Sequence, residues 1–198
     1  MGPAVRLAAE GDAEAITDIY TPIVERTHIS FETTPPSVEE MARRVRATVE
    51  RLPWLVCKFD GRVVGYAYAS THNDRPAYRW GADVSAYVDE RWRRRSVARG
   101  LYESLVALLR LQGLYTAYAV IALPNQPSVS FHEALGFERV GVYRCAGFKN
   151  GEWHDVGHWE RSLQPHETPP EPPKPLGELR NTDAYRDALE AGEAVIGR

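Results

Sequence analysis

Ala86-Tyr87-Val88-Asp89-Glu90-Arg91-Trp92-Arg93-Arg94-Arg95-Ser96-Val97-Ala98-Arg99-Gly100-Leu101 is the stretch on which the fold turns. A largely apolar strand runs out at Val88, an arginine-rich turn follows, and a helix begins near Ser96. The amides of a helix's first turn point outward without partners and carry partial positive charge. Small residues there let a phosphate approach the backbone. Arg91, Arg93, Arg94 and Arg95 add to that field. The turn reads as an anion site placed between a strand and a helix. A solvated charged turn is the plainer alternative, and the turn alone does not name a ligand.

Working outward from this turn, the chain alternates strands and helices. Residues 97–112 carry Val97, Leu101, Leu105, Leu108 and Leu109 at helical spacing, with Gly113 as the stop. Upstream, residues 54–59, 62–71 and 79–89 form a meander, its first turn marked by Asp60-Gly61. Residues 5–8 predict a short strand. A helix follows Gly11-Asp12, with Ala15, Ile16, Ile19, Tyr20 and Ile23 on one face. Ser37-Val38-Glu39-Glu40 is a capping box and predicts a helix to about Arg51. Downstream, residues 115–123 are a nearly unbroken apolar strand, as expected when both faces are covered. Residues 127–135 predict a short helix closed by Gly136. Residues 138–148 and 152–163 pair across Asn150-Gly151. The order β-α-α-β-β-β-α-β-α-β-β predicts one mixed sheet of the α/β or α+β class.

Composition narrows the function. The chain has 198 residues and a net charge of −3. Residues 164–198 hold four basic and seven acidic groups, so that whole −3 falls there and residues 1–163 are neutral. A globally basic nucleic-acid binder is excluded, while a local basic patch is not. Residues 164–175 contain six prolines, which predicts an extended or disordered linker. The division expected is a domain at 1–163 and a proline-rich linker with an acidic tail at 164–198, where residues 182–194 predict a short polar helix. Cys57 and Cys145 cannot form a disulfide framework or a four-cysteine zinc site. No membrane span and no signal-peptide core are legible, so a cytoplasmic location is expected.

A second constellation is Leu123-Pro124-Asn125-Gln126-Pro127-Ser128-Val129-Ser130-Phe131-His132-Glu133-Ala134-Leu135-Gly136-Phe137. Alone, Asn125 and Ser128 are good helix-start residues, and His132 is a half-buried histidine. With the arginine turn they look like the GNAT superfamily of acetyl-CoA-dependent N-acyltransferases. The signature Arg/Gln-x-x-Gly-x-Gly/Ala reads Arg93-Arg94-Arg95-Ser96-Val97-Ala98. Asn125, Ser128, His132 and Gly136-Phe137 match its second half. Ser30-Phe31-Glu32-Thr33, Pro53-Trp54-Leu55-Val56, Ala77-Tyr78-Arg79-Trp80, Ala146-Gly147-Phe148-Lys149 and Trp153-His154-Asp155-Val156-Gly157 resemble the phosphinothricin N-acetyltransferase subfamily, over about residues 4–163.

The resemblance implies a GNAT fold whose central strands splay to hold acetyl-CoA. It places the pantetheine arm along Ala86 and Val88 and the pyrophosphate on the amides of Arg94, Arg95, Ser96, Val97, Ala98 and Arg99, with Arg93, Asn125 and Ser128 completing the cofactor side. Ser96 stands where the family usually has glycine. Asp83 matches the family's glutamate base, one methylene shorter, with a structural acceptor as its plainer role. His132 matches a histidine near the thioester, at a position where many relatives carry an acidic tyrosine. Phe31, Arg75, Tyr78 and Tyr87 match positions lining the amino-acid pocket, and Asn73 replaces a lysine of the herbicide-inactivating members. The resemblance implies a small amino acid or a phosphinate or sulfoximine analogue as acceptor, and a homodimer.

Other chemistries fit less well. His154 and His158 would lie about 13 Å apart on a strand, too far for one ion unaided, so no metal is expected. No Gly-x-Ser-x-Gly elbow or Walker A loop is present. A peptide N-terminus or a polyamine is an alternative acceptor, and Arg75 argues against a cationic one. An RNA-binding module built on residues 91–95 is the alternative of another class. Neither a membrane nor a nucleic acid is expected as partner.

Overall fold

The structure is a computed structural model describing residues 2–196. Seven strands form one sheet in the order β1-β2-β3-β4-β5-β7-β6. They are β1 (Ala4–Leu7), β2 (Trp54–Phe59), β3 (Arg62–Thr71), β4 (Gly81–Val88), β5 (Thr116–Leu123), β6 (Glu138–Lys149) and β7 (Glu152–Ser162). Helices α1 (Ala13–Arg26) and α2 (Val38–Val49) cover one face. Helix α3 (Val97–Leu111) fills the other, and α4 (Gln126–Ala134) follows β5.

The turn chemistry sets this arrangement locally. Asp60 and Gly61 have φ of 45° and 81°, and Asn150 and Gly151 have 55° and 83°. Two consecutive left-handed residues make the turn whose twist matches paired strands. The Ser37 Oγ accepts the Glu40 amide as expected. The reciprocal half of the box is absent, because the Glu40 carboxylate accepts from Arg43 and Arg44 instead.

The parallel pair β4–β5 decides where a ligand can enter. Its ladder holds only Gly81–Thr116, Ala82–Ala117 and Asp83–Tyr118. Beyond Asp83, β4 stays paired to β3 as far as Val88, while β5 turns to β7 for its whole length. The sheet therefore forks immediately after Asp83.

The C-terminal segment, expected as a linker and acidic tail, packs onto the rest of the chain. Residues 164–175 form neither helix nor strand, and they are tied down: Trp80 Nε1 donates to Glu171 O, and Gln112 Nε2 donates to Lys174 O. Helices α5 (Leu176–Leu179) and α6 (Asp183–Glu193) follow. Leu176, Leu179, Tyr185, Ala188 and Ile196 join the same core cluster as α3. Gly100 of α3 and Gly192 of α6 face each other so closely that a Cβ on either would strike the other's backbone. The boundary at 163 thus separates stretches of sequence, while the packing is continuous across it.

Candidate active site

The turn after β4 organises its arginines unequally. Asp89 caps a 3-10 turn at Glu90–Trp92, accepting from the Arg91 amide and from the Arg91 guanidinium. The Arg91 hydrogen bond holds the Asp89 carboxyl below its usual pKa. Arg95 lies over the Trp92 ring at 4.8 Å, and Arg93 lies 3.9 Å from Glu90. Arg91 is therefore neutralised locally, and the sequence count of free cations at the turn is reduced.

Arg94 and Ser96 both sit in the left-handed region, with φ of 60° and 59°. A Cβ costs about 1–2 kcal/mol in that conformation, so the backbone at position 96 favours the glycine that the resemblance implies. No side chain caps α3 at Ser96. The first intrahelical bond in this turn runs from the Gly100 amide to Ser96 O, so the preceding amides are available to an anion.

The open edge of β4 can be assigned by alternation. The Asp89 amide donates to Val64 O on β3. Successive residues of a strand turn their amides to opposite edges, so Val88 and Ala86 present theirs to the fork. An extended chain could pair with them there.

Helix α4 carries Asn125 as its N-cap, with Oδ1 3.3 Å from the Ser128 amide. His132 is buried, and its Nδ1 lies 2.8 Å from Ser128 O. A carbonyl only accepts, so Nδ1 carries the proton and Nε2 accepts from the Tyr102 hydroxyl at 2.9 Å. Burial pushes His132 below the usual histidine pKa, and pushes the Tyr102 hydroxyl up. Tyr102 was not singled out in the sequence. It follows Leu101 in the apolar register of α3, where it reads as core.

On the α1–α2 face, Asp83 projects at the fork, partly exposed. His72 Nδ1 lies 2.8 Å from its Oδ1. Tyr78, exposed in a 3-10 turn at Pro76–Tyr78, has its ring 6.1 Å from that of His72. Arg75 is exposed, and its amide donates to Asn73 Oδ1. Tyr87 packs against Tyr20 and Tyr66, and burial raises its pKa well above the usual value. Phe31 lies apart from these, its ring against Gly147 of β6, where a Cβ would collide with it.

The loop bearing Phe31 is held by a residue the sequence reading quoted but gave no role. The buried Lys149 ammonium donates to Val24 O, Ser30 O and Glu32 O at 2.7, 2.6 and 2.7 Å. His154 accordingly has a structural place, stacked on His28 at 4.4 Å and bonded to Lys149 O. Among the described residues, no group of three or more His, Cys, Asp and Glu is placed to hold a metal. None of their helices is long and apolar enough to cross a membrane.

A forked sheet, uncapped amides below one prong and a carboxylate where the prongs part are the features that the GNAT resemblance implies for an acyl-transfer site. A family model described as an acetyltransferase (GNAT) domain matches residues 5–158, and the chain belongs to that family. It is 38% identical over 175 residues to a phosphinothricin N-acetyltransferase of Streptomyces viridochromogenes, covering 88% of this chain and 95% of that one. A phosphinothricin acetyltransferase structure from Sinorhizobium meliloti, in complex with acetyl-CoA, superposes with a TM-score of 0.80 at 33% identity, covering 94% of this chain and 100% of that one. A putative acetyltransferase from Salmonella typhimurium, also with acetyl-CoA, gives 0.82 at 26% identity, covering 85% and 98%. The protein is a GNAT-family N-acetyltransferase.

Proposed function

We propose that the acceptor is the amino group of a small amino acid or an analogue of the phosphinothricin or methionine sulfoximine type, acetylated by direct transfer. The observation that carries this is Asp83 at the point where β4 and β5 part. The amide edge of Ala86 and Val88 lies beyond it, and Tyr78 and Arg75 stand in the turn that leads into β4. The names of the relatives support the same acceptor class.

An amine attacks a thioester only when it is neutral. Asp83 takes the proton from the incoming ammonium. The new C–N bond forms as the carbonyl oxygen gains charge, and the Val88 amide receives that charge. The C–S bond then breaks, and a second nitrogen proton goes to the departing sulfur. His132 and Tyr102 are the pair that would supply or relay a proton at the sulfur. Arg75 holds the acceptor's carboxylate or phosphinate. The pyrophosphate rests on the α3 amides with Arg94 and Arg99 beside them.

Thiol release from acetyl-CoA, measured over phosphinothricin, methionine sulfoximine, methionine sulfone, common amino acids, a polyamine and a peptide, tests the acceptor class. Turnover with the amino acids or analogues is expected. Turnover confined to the polyamine or peptide would reject the reading. For the base, Asp83→Asn should lower kcat by about 10²–10⁴; an unchanged kcat would remove Asp83 from that role.

A further inference from the structure

His72 follows β3 directly and approaches Asp83 on β4, its Nδ1 2.8 Å from Oδ1. The imidazole lies flat on Tyr118 of β5, with centroids 4.0 Å apart and planes at 22°. Tyr78 meets it edge-on at 61°. These two rings fix the imidazole plane. A carboxylate only accepts, so the proton of this bond belongs to Nδ1, and the neutral ring keeps its lone pair on Nε2. One oxygen of Asp83 is thereby engaged, and the other is left for a ligand.

We propose that His72 is a positioning residue for acyl transfer, fixing the Asp83 carboxylate at the fork through its Nδ1–H so that the second oxygen is held ready for the acceptor's ammonium. This rests on Asp83 being the base. The proton balance is simple. The acceptor nitrogen loses two protons, one to Asp83 and one to the departing sulfur, as C–N forms and C–S breaks. Asp83 returns its proton to water, and His72 keeps its Nδ1 proton throughout.

The arrangement has a consequence for pH dependence. A second proton on the ring turns the hydrogen bond into an ion pair. A carboxylate held against a full positive charge takes up the ammonium proton less readily. Removing the ring therefore changes the shape of the acid side of the kcat–pH profile. The other titratable groups facing the ring are Tyr78, Tyr118, Glu160 paired opposite Tyr118, and His166 and Glu167 across a cavity of about 230 Å³. All of these stay in place in the variants below.

The test is steady-state kinetics against pH for His72→Phe, His72→Asn, Asp83→Asn and the His72→Phe/Asp83→Asn double variant, with melting curves as the control on folding. His72→Phe keeps a ring on Tyr118 and loses the donor; it should lower kcat about ten- to a hundred-fold, the range of one hydrogen bond to a charged group, with the KM for acetyl-CoA unchanged. His72→Asn can donate and cannot ionise; it should recover part of the loss and change the shape of the acid side of the profile. In the Asp83→Asn background, His72→Phe should add nothing. A folded His72→Phe with wild-type kcat beside an impaired Asp83→Asn would overturn the inference and leave the base assignment standing. Multiplicative losses in the double variant, or no recovery with Asn, would also overturn it. An Asp83→Asn variant with wild-type kcat would fell the base assignment first and the inference with it.

Discussion

Replacing Gly100 with alanine sets two physical effects against each other with opposite signs. By helix propensity alone, alanine in a helix interior is favoured over glycine by about 1 kcal/mol. Gly100, however, is where α6 crosses α3. An added Cβ would fall inside contact distance of Gly192 O and the Ile196 side chain, with Ile196 Cδ1 2.8 Å away. A carbon and a carbonyl oxygen need about 3.3 Å, so the helices must part by close to ~1 Å. The obstacle includes backbone, which no rotamer change removes. The cost belongs at the upper end of the usual 1–3 kcal/mol for overpacking, about 3 kcal/mol. Less the propensity gain, about 2 kcal/mol of net destabilisation remains, or a fall in Tm of roughly 4–8 °C for a chain of this size. Scanning calorimetry with a urea titration reads both quantities. A Tm unchanged or raised by Gly100→Ala would show that α6 does not press on α3 as described.

Four further outcomes follow from the geometry. Ser96→Gly should leave the acetyl-CoA KM unchanged or lower, whereas Ser96→Val, a β-branched side chain forced to a φ of 59°, should raise it at least about tenfold; equal KM values would mean that the left-handed turn does not shape the phosphate site. Lys149→Met removes the donor from two carbonyls of the Phe31 loop and one of α1 and should cost about 3 kcal/mol in urea denaturation while raising the acceptor KM more than the acetyl-CoA KM; equal effects on both would contradict a role in holding that loop. His132 has a folded pKa below its unfolded value of 6.5, so the unfolded chain binds the proton first and stability falls as pH drops below about 6.5, by at most about 1.4 kcal/mol per pH unit; His132→Gln should flatten that dependence, measured by urea midpoints at about pH 7.5 and about pH 5.5. Burial pushes the Cys57 thiol up to about 12, while Cys145 is exposed; a thiol reagent should titrate Cys145 rapidly and Cys57 only after unfolding, and rapid reaction of both would contradict the buried position of Cys57.

What could be read from the sequence was local. Asp60-Gly61 and Asn150-Gly151 each declare a hairpin in two residues, and both adopt the left-handed pair such turns require. Ser37 announces its helix because the capping bond spans three residues. The C-terminal helix was legible at residues 182–194, but its docking onto α3 was not, for a physical reason. It docks through Tyr185, Ala188 and Gly192, a face whose small members let two backbones approach. Counting hydrophobic residues finds helices that dock by bulk and does not show that one docks by closeness. The insertion of β7 between β5 and β6 was equally unreadable, because strand order is set by pairing across the whole sheet.

The same distinction separates the two halves of the site. The proposed acetyl-CoA side is made of backbone amides in consecutive residues, so a contiguous motif encodes it and sequence comparison finds it. The acceptor side as proposed would draw on the end of β3, the middle of β4 and a 3-10 turn, with the α1–α2 loop and the β6–β7 hairpin lying apart from them. Contacts within these elements, His72 to Asp83 and Lys149 to Ser30, join residues 11 and 119 apart. Position 73 shows what this means for specificity. Read as a missing cation, Asn73 subtracts a charge from the pocket. In the structure its Oδ1 accepts the Arg75 amide at 3.0 Å, fixing the turn that aims Arg75 and leads into Tyr78. A lysine there would add a charge and remove the turn's anchor together, because lysine has no acceptor to offer. If Arg75 and Tyr78 line the acceptor pocket as proposed, acceptor choice rests on where that turn points its side chains, and charge counting along the sequence does not capture it.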